Sequence, residues 1–230
     1  MKEQRFFYNP TPLSMQLPDD EAQHALRVLR LSVGDEIFVM DGAGCYYRAC
    51  IAEATKKHCS YNIIETLPQT PQWSRHIHLA MAPTKNIDRT EWLAEKATEV
   101  GIDRLTLLNC QWSERRVVKT ERIEKIVVSA MKQSHKAWMP QVEGMTNFKD
   151  FIASHHHGQR FICHCHSDNL PLLKDKLQPD VDATVMIGPE GDFSIEEVKA
   201  AEAAGFCSVS LGTSRLRTET AALVSVVLMH

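Results

Sequence analysis

Two glycine-bearing segments have the residue types and spacing of a ligand-binding site. The first, VMIGPEGDFS at residues 185–194, runs from an apolar stretch into a loop with two glycines, and a capped helix follows. In open parallel sheets, ligands bind beyond the carboxyl ends of the strands, where glycine lets the backbone approach them closely. A tight strand–helix turn without a ligand explains this segment about equally well. The loop has neither the Walker motif nor G-x-G-x-x-G, so it does not indicate nucleotide-phosphate binding.

The second segment, LGTSRLRTETAA at residues 211–222, repeats this arrangement. A strand ends in glycine, a short loop follows, and a helix begins near Thr218. Two consecutive strand–loop–helix units place both glycine-bearing loops at the same edge of a sheet. The sequence therefore predicts a pocket between the loops, lined by backbone groups, into which Arg217 reaches.

Strands and helices alternate over residues 73–230, and they must position these loops. The predicted strands are His76–Ala82, Leu105–Asn109, Phe161–His164, Ala183–Ile187 and Ser208–Leu211. Two helices are predicted from a capping box at the start and a glycine at the end: Asp88 and Glu91 with Gly101, and Ser194 and Glu197 with Gly205. Two more are the amphipathic Thr120–Lys136 and the apolar Ala221–Met229. This alternation predicts an α/β domain with a mostly parallel, doubly wound sheet.

A proline-bearing linker, ETLPQTPQ at residues 65–72, precedes that domain. The predicted strands before it are Glu36–Met40, Tyr46–Ala52 and Ser60–Glu65, with a hairpin turn at 41–44 and one helix around Asp20–Leu29. The sequence thus predicts two domains, a small β-rich one over 1–70 and the α/β one over 73–230.

Bulk composition narrows the class of protein. The net charge is −3, so any surface that binds nucleic acid must be a local patch. The seven cysteines form no disulfide framework, and the N-terminus does not resemble a signal peptide. No apolar run approaches the roughly 20 residues that a membrane span needs. We expect a reduced, soluble, cytoplasmic protein.

Five segments together resemble the RsmE family of RNA methyltransferases, a member of the SPOUT superfamily. The two most specific are IGPEGDFSIEE and LGTSRLRTETAA, which resemble the paired cofactor loops of that family. The others are LAEKATEVGIDRL, SAMKQSHKAWMP and HALRVLRLSVGDEIFVMDGAGCYYRACI. They occur in the family order and cover nearly the whole chain. The chain departs from the family pattern at Asp192, usually glycine, at Lys136, commonly arginine, and at Lys132, where an acidic residue is common.

The resemblance implies a fold, a reaction and partners. Residues 73–230 would form a SPOUT-type α/β domain with a C-terminal trefoil knot, and residues 1–70 a PUA-like β-barrel that helps to hold RNA. The implied activity is transfer of a methyl group from S-adenosyl-L-methionine (SAM) to N3 of a uridine in 16S ribosomal RNA, either free or in the assembled small subunit. A homodimer is also implied.

The resemblance also assigns residues. Arg217 is the first candidate for a contact to substrate or transition state, because a guanidinium stabilises charge developing on a uracil oxygen. Glu190 is a candidate base, and the alternative is a carboxylate that only braces its loop. The expected cofactor-binding residues are Ile187, Gly188, Pro189, Gly191, Leu211, Gly212, Ser214, Leu216 and Thr218. The expected RNA-binding residues are Arg27, Arg30, Arg115, Arg116 and Lys136.

Several alternatives remain open. The chain could be a 2′-O-ribose methyltransferase of the same superfamily, or an RNA-binding factor without catalytic activity. The basic cluster that includes Arg115 and Arg116 could be no more than a solvated face. The histidine-rich stretches 155–157 and 163–166 lack the spaced pairs of a zinc site, so no metal is expected. Trp92, Trp112 and Trp138 are expected in the core or an interface rather than as base-stacking platforms.

Overall fold

The computed structural model describes residues 4–55, 58–154, 156–167 and 169–230. They divide into two compact units. The first takes in the described residues up to Gln72 together with Val128–Met139, and the second takes in Trp73–Val127 and Pro140–His230. The boundary near residue 72 lies in the expected linker. The packing of residues 128–139 with the N-terminal segment was not predicted from the sequence.

The first unit is built on a four-stranded sheet in the order β1-β2-β3-β4. Its strands are β1 (Phe6–Tyr8), β2 (Glu36–Met40), β3 (Cys45–Ala54) and β4 (Cys59–Pro68), with β1 parallel to β2 and the other pairs antiparallel. Helix α1 (Asp19–Gln23) and a π-helical turn (His24–Val28) cover the sheet. Their apolar side chains share a core with Phe7, Ile37, Ile51 and Tyr61. The predicted strands, hairpin turn and helix are all present, whereas the three-residue β1 is too short for sequence alternation to reveal.

Residues 128–139 join this unit through specific contacts. The Tyr46 hydroxyl donates to the His135 carbonyl oxygen at 2.6 Å, and Lys132 Nζ lies 2.5 Å from Glu21 Oε1. A Cβ at Gly44 would lie 2.6 Å from the Trp138 ring, and φ is +103° there, so only glycine fits this turn. Lys132, one of the departures from the family pattern, thus neutralises a buried glutamate.

The second unit is a six-stranded, all-parallel sheet in the order β10-β8-β9-β5-β6-β7. Its strands are β5 (Ile77–Met81), β6 (Arg104–Asn109), β7 (Gln141–Asn147), β8 (Gln159–Cys163), β9 (Ala183–Ile187) and β10 (Cys207–Val209). Its helices are α2 (Ile87–Val100), α4 (Phe148–Ala153), α5 (Leu173–Lys176), α6 (Ile195–Ala203) and α7 (Thr218–Leu228); α3 (Thr120–Ser134) begins in this unit. The predicted α/β class with a parallel sheet is confirmed. Strands β5 and β9 are buried along their whole length, as expected for a sheet covered on both faces.

Helix capping was predicted correctly at α6 and wrongly at α2. At α6, the Ser194 hydroxyl accepts from the Glu197 N–H, and the Glu197 carboxylate accepts from the Ser194 N–H. Helix α2 is capped instead by Asn86, whose side chain accepts from the Asp88 N–H. Glu91, the expected partner of Asp88, pairs with Arg122.

Helix α7 leaves the sheet edge and returns to its middle. The chain exits β10 at the edge of the sheet, and α7 then packs against α2 and against the inner strands β5 and β9. The Arg89–Glu219 ion pair, 3.8 Å long, places the first turn of α7, which follows Arg217, beside the first turn of α2.

Candidate functional site

The first glycine-bearing loop follows β9 and is tied into the sheet edge. The Ile187 carbonyl accepts from the Ala82 N–H at 3.0 Å, just beyond the paired ends of β9 and β5. Gly188 and Pro189 are buried, and Gly191 is exposed. A Cβ at Gly188 would lie 3.0 Å from the Phe193 nitrogen. Gly188 is therefore required by the tight fold of the loop, whereas Gly191 lies at its open side.

The second glycine-bearing loop follows β10 and is open. Gly212 has φ +138°, and no atom of the described residues, its two chain neighbours aside, lies within 4 Å of the position where its Cβ would be. The Ser210 hydroxyl shapes the turn through bonds with the Gly212 N–H at 3.2 Å and the Gly212 carbonyl oxygen at 3.0 Å. Residues 213–216 make no hydrogen bond with any part of the chain that the structure describes. Their backbone donors and acceptors are therefore available to a ligand with polar edges.

A third loop, residues 164–166 after β8, joins the site through Asp192. Asp192 has φ +67°, a region that aspartate tolerates better than most residues. Its carboxylate accepts from the Phe193 N–H at 2.7 Å and from the Cys165 N–H at 2.8 Å. His166 adds a bond from Nε2 to the Phe193 carbonyl oxygen at 2.6 Å. The sequence did not predict this loop as part of the site, because its contacts join residues 27 positions apart.

Burial also affects the neighbouring imidazole of His164. Its pKa is lowered mainly by burial, and the nearby Asp192 carboxylate opposes that shift. The Nε2 atom of His164 is buried without a hydrogen-bond partner among the described residues. Burial thus disfavours the charged form of the His164 imidazole.

Arg217 and Thr218 begin α7 beside the second loop. Thr218 is buried, and Arg217 is exposed at the N-cap position with φ −72° and ψ 156°. Within the described ranges, the Arg217 guanidinium has no hydrogen-bond or ion-pair partner. Glu219, two residues further along, lies 3.8 Å from Arg89 and forms no ion pair with Arg217. The Arg217 side chain is therefore free to contact a substrate.

Glu190 braces the loop that follows β5. Its Oε1 accepts from the Lys85 N–H at 2.8 Å. Arg115 holds the same loop from another direction, donating to the Thr84 carbonyl at 3.1 Å and to the Lys85 carbonyl at 2.6 Å. The Lys85 ammonium lies 2.8 Å from Glu114 Oε2. Arg115, expected to contact RNA, and Glu190, for which bracing was the alternative to a role as base, thus both make contacts that fix residues 84–85.

The remaining basic candidates have different surroundings. Arg116 is exposed and donates to Asn109 Oδ1 at 2.9 Å and to the Gln111 carbonyl at 3.1 Å. Lys136 donates to Gln72 Oε1 at 2.6 Å, and partial burial lowers its pKa. Arg27 and Arg30 are exposed on the first unit, where Arg30 has φ +53°. The structure thus leaves Arg27, Arg30 and Arg116 open to solvent.

Two further features concern metals and membranes. No group of three potential ligands is close enough to hold a metal ion among the described residues, and His155 of the histidine run lies outside them. None of the described helices has the length and apolar character needed to cross a membrane.

Comparison with known proteins identifies the family. Residues 71–230 match the model of an RNA methyltransferase domain, and residues 17–64 match the model of an RNA methyltransferase PUA domain. The ribosomal RNA small subunit methyltransferase E of Synechocystis is 30% identical over 93% of this chain and 71% of its own length. The chain belongs to the RsmE family of RNA methyltransferases. The predicted resemblance is confirmed.

Solved structures agree with the fold of this methyltransferase. A probable rRNA-methyltransferase from Porphyromonas gingivalis is 40% identical, with a TM-score of 0.93 over 98% of this chain and 97% of its own. The ribosomal RNA small subunit methyltransferase E of Neisseria gonorrhoeae, bound to S-adenosyl methionine, is 27% identical, with a TM-score of 0.89 over 99% and 97% of the two chains. The parallel α/β sheet and the N-terminal β-sheet are therefore shared with methyltransferases of known structure.

Proposed function

We propose that this methyltransferase transfers the methyl group of SAM to N3 of a uridine in 16S ribosomal RNA. The observation that carries the proposal is the pair of glycine-bearing loops at one sheet edge, with open space at Gly212. Membership of the RsmE family supports the reaction. The SAM-bound relative from Neisseria gonorrhoeae supports the cofactor.

The residues of the two loops fit SAM. An adenine ring and a methionyl group offer polar edges, and the unpaired backbone groups of residues 213–216 can meet them. The residues that would hold the cofactor are Ile187, Gly188, Pro189, Gly191, Leu211, Gly212, Ser214, Leu216 and Thr218. When bound, SAM supplies an electrophilic methyl group on its sulfonium.

Arg217 positions and stabilises the acceptor base. Its exposed guanidinium begins α7 beside the open loop, with no partner among the residues that the structure describes. It donates to a uracil carbonyl oxygen, on which negative charge develops as N3 loses its proton. Two parallel N–H groups give this contact a direction that a lysine ammonium lacks.

Glu190 serves the reaction as a brace. Its carboxylate is engaged with the Lys85 N–H and holds the loop after β5 against the first glycine-bearing loop. A general base must reach the proton that it removes, whereas Oε1 of this carboxylate accepts from a backbone N–H. The alternative, removal of the N3 proton by Glu190, is tested by the variant Glu190→Gln.

The family also supports finer features of the fold. We infer a PUA-like barrel over residues 1–70, a SPOUT domain over residues 73–230, and a trefoil knot near the C-terminus. The return of α7 from the edge strand β10 to the inner strands is the course that such a knot requires. A homodimer in the cytoplasm that acts on 16S rRNA or the assembled small subunit completes the proposal. The exposed cations Arg27, Arg30 and Arg116 would contact the RNA.

Modification mapping tests the reaction. The purified protein is incubated with SAM carrying a labelled methyl group and with either free 16S rRNA or unmethylated small subunits. Label at N3 of one uridine is the expected result. Label on a ribose 2′ oxygen would establish the alternative 2′-O-methyltransferase. Binding of RNA without SAM binding or methyl transfer would establish a non-catalytic factor.

A further inference from the structure

A cavity of about 500 Å³ lies beyond the carboxyl ends of β6 and β7. Asn109 and Asn147, the last residues of these strands, line its floor, and the N-terminal end of α6 forms one wall. None of the residues proposed to hold SAM lines it. Its volume falls within the range of about 300–1,000 Å³ typical of small-molecule sites. The cavity is therefore a site separate from the two glycine-bearing loops.

A chain of side-chain hydrogen bonds crosses the cavity floor. Arg116 donates to Asn109 Oδ1, Asn109 Nδ2 donates to Asn147 Oδ1 at 3.1 Å, and Asn147 Nδ2 donates to Asp150 Oδ2 at 3.1 Å. Each amide NH₂ group has a second hydrogen that this chain does not use. The floor is thus polar, fixed in orientation, and provided with amide donors like those that read the edges of nucleobases.

The charges around the cavity favour a neutral group inside and phosphates outside. Arg116 and Lys149 are opposed by Asp150, Glu196 and Glu197, so the interior has no excess of positive charge to hold a free polyanion. Arg116 is exposed, and it uses only one hydrogen of each terminal amino group for its contacts with Asn109 and Gln111. A nucleobase with its ribose suits such an interior, and the adjoining phosphate can lie against Arg116 at the rim.

An exposed indole connects this cavity to the proposed cofactor loop. Trp112 is 54% exposed and follows Gln111, which lines the cavity. Its Cβ lies 3.3 Å from the position where a Gly191 side chain would begin. The sequence suggested a core or interface position for Trp112, and the structure excludes the core. A flat aromatic face beside a basic side chain is the usual platform for an unpaired base.

We propose that this cavity and Trp112 bind one nucleotide of the RNA substrate that flanks the methylated base. The base enters the cavity above Asn109 and Asn147 with one face stacked on Trp112, and Arg116 contacts its phosphate. This inference rests on the proposed RNA methyltransferase function and adds a subsite to it. The contact would hold the unpaired strand beside the first glycine-bearing loop while Arg217 holds the acceptor base.

Substitutions at Trp112 and Arg116 test the subsite. Trp112→Ala removes the stacking face, Trp112→Phe keeps an aromatic ring, and Arg116→Ala removes the phosphate contact. Lys176→Ala, an exposed cation on α5 of the same unit, is the matched control for the loss of charge. Each variant is tested for methylation of unmethylated small subunits, for SAM affinity by calorimetry, for melting temperature and for sedimentation.

The subsite predicts a defined pattern. Trp112→Ala should raise KM for the subunit by roughly 5- to 100-fold, the effect of losing one base–aromatic stack, with SAM affinity and melting unchanged. Trp112→Phe should restore KM to within about threefold of the original. Arg116→Ala should weaken RNA binding and lower its salt dependence by about one unit of slope, and Lys176→Ala should change neither.

Three results would overturn the subsite. Unchanged KM in Trp112→Ala, with methylation by the original protein intact, would refute it while leaving the proposed function standing. Equal loss in the Phe and Ala variants would show that stacking is not involved. A change in sedimentation with Trp112→Ala would assign this face to a second copy of the chain. Absence of methylation by the original protein would instead refute the proposed function.

Discussion

The role of Glu190 can be decided by replacing it with glutamine. Glutamine keeps an oxygen that can accept from the Lys85 N–H, now 2.8 Å from Glu190 Oε1, but it cannot take up a proton at neutral pH. If Glu190 is the brace that the structure indicates, Glu190→Gln should retain methyl transfer to within about threefold. If it were the general base, the same variant should lose roughly 10²- to 10⁴-fold.

Glu190→Ala supplies the other half of the comparison. It removes the acceptor for the Lys85 N–H, and one hydrogen bond at an exposed site contributes about 1 kcal/mol or less. For a chain of this length that corresponds to a fall in Tm of about 2–4 °C or less. Arg115 still holds the Thr84 and Lys85 carbonyls, so the loop should loosen without unfolding.

The assay is single-turnover methylation of unmethylated small subunits between pH 6 and pH 9, beside SAM titration and melting. A bracing role predicts that Glu190→Gln follows the pH profile of the original protein, because the carboxylate takes no part in proton transfer. Activity should fall further in Glu190→Ala. A loss of roughly 10²-fold or more in Glu190→Gln at every pH, with normal melting and SAM affinity, would refute the brace and make Glu190 the base.

Four further predictions concern individual residues. Gly212→Val should abolish SAM binding measured by calorimetry, since its side chain would enter the open space and its φ of +138° excludes a β-branched residue; normal affinity in a folded variant would place the cofactor elsewhere. Arg217→Lys should bind SAM nearly normally and lose most methyl transfer. Arg217→Ala should lower the rate of methyl transfer by roughly 10²- to 10³-fold. Full activity in Arg217→Ala would show that Arg217 does not belong to the active site. Asp192→Gly should keep the backbone at φ +67° but raise the KM for SAM. Asp192→Asn should raise it less, because the amide oxygen can still accept from the Cys165 N–H. An equal KM for SAM in the two variants would show that this contact does not matter. Arg30→Gly should melt at the same or a higher temperature, because φ is +53° at this position. It should bind RNA more weakly, and the dependence of RNA affinity on salt concentration should fall by about one unit of slope. An unchanged slope would show that Arg30 does not contact RNA.

The sequence predicted features that depend on neighbouring residues. The capping box of Ser194 and Glu197 is visible because both partners lie within one helical turn, and the buried strands β5 and β9 are visible as short apolar runs. The N-cap of α2 was predicted wrongly because two candidates lie close together. Asn86, two residues before Asp88, takes the cap position. Which of two nearby residues caps a helix depends on the backbone φ and ψ angles at each, and these cannot be read from the sequence.

Other features depend on contacts between distant segments. Strand β7 lies at the sheet edge, and its partly exposed residues show no alternation, so the sequence QVEGMTN gave no strand signal. Likewise, Trp112 was expected to be buried because most tryptophans are, and only the position of its loop beside Gly191 exposes the ring. Strand pairing at β7 and the exposure of Trp112 both depend on segments that meet only in the folded sheet, so the sequence alone does not reveal them.

The two acidic residues of the first glycine-bearing loop explain how this site can be ordered before a ligand arrives. Glu190 ties the loop to the segment after β5, and Asp192 ties it to the segment after β8, on the two strands that flank β9. A loop fixed from both sides loses little conformational freedom when a ligand binds, which favours affinity. Residues 213–216 of the second loop have no such hydrogen bond to any described residue, so we expect a ligand to order them. Binding of SAM should therefore protect the amides of residues 213–216 from hydrogen exchange far more than those of residues 188–192.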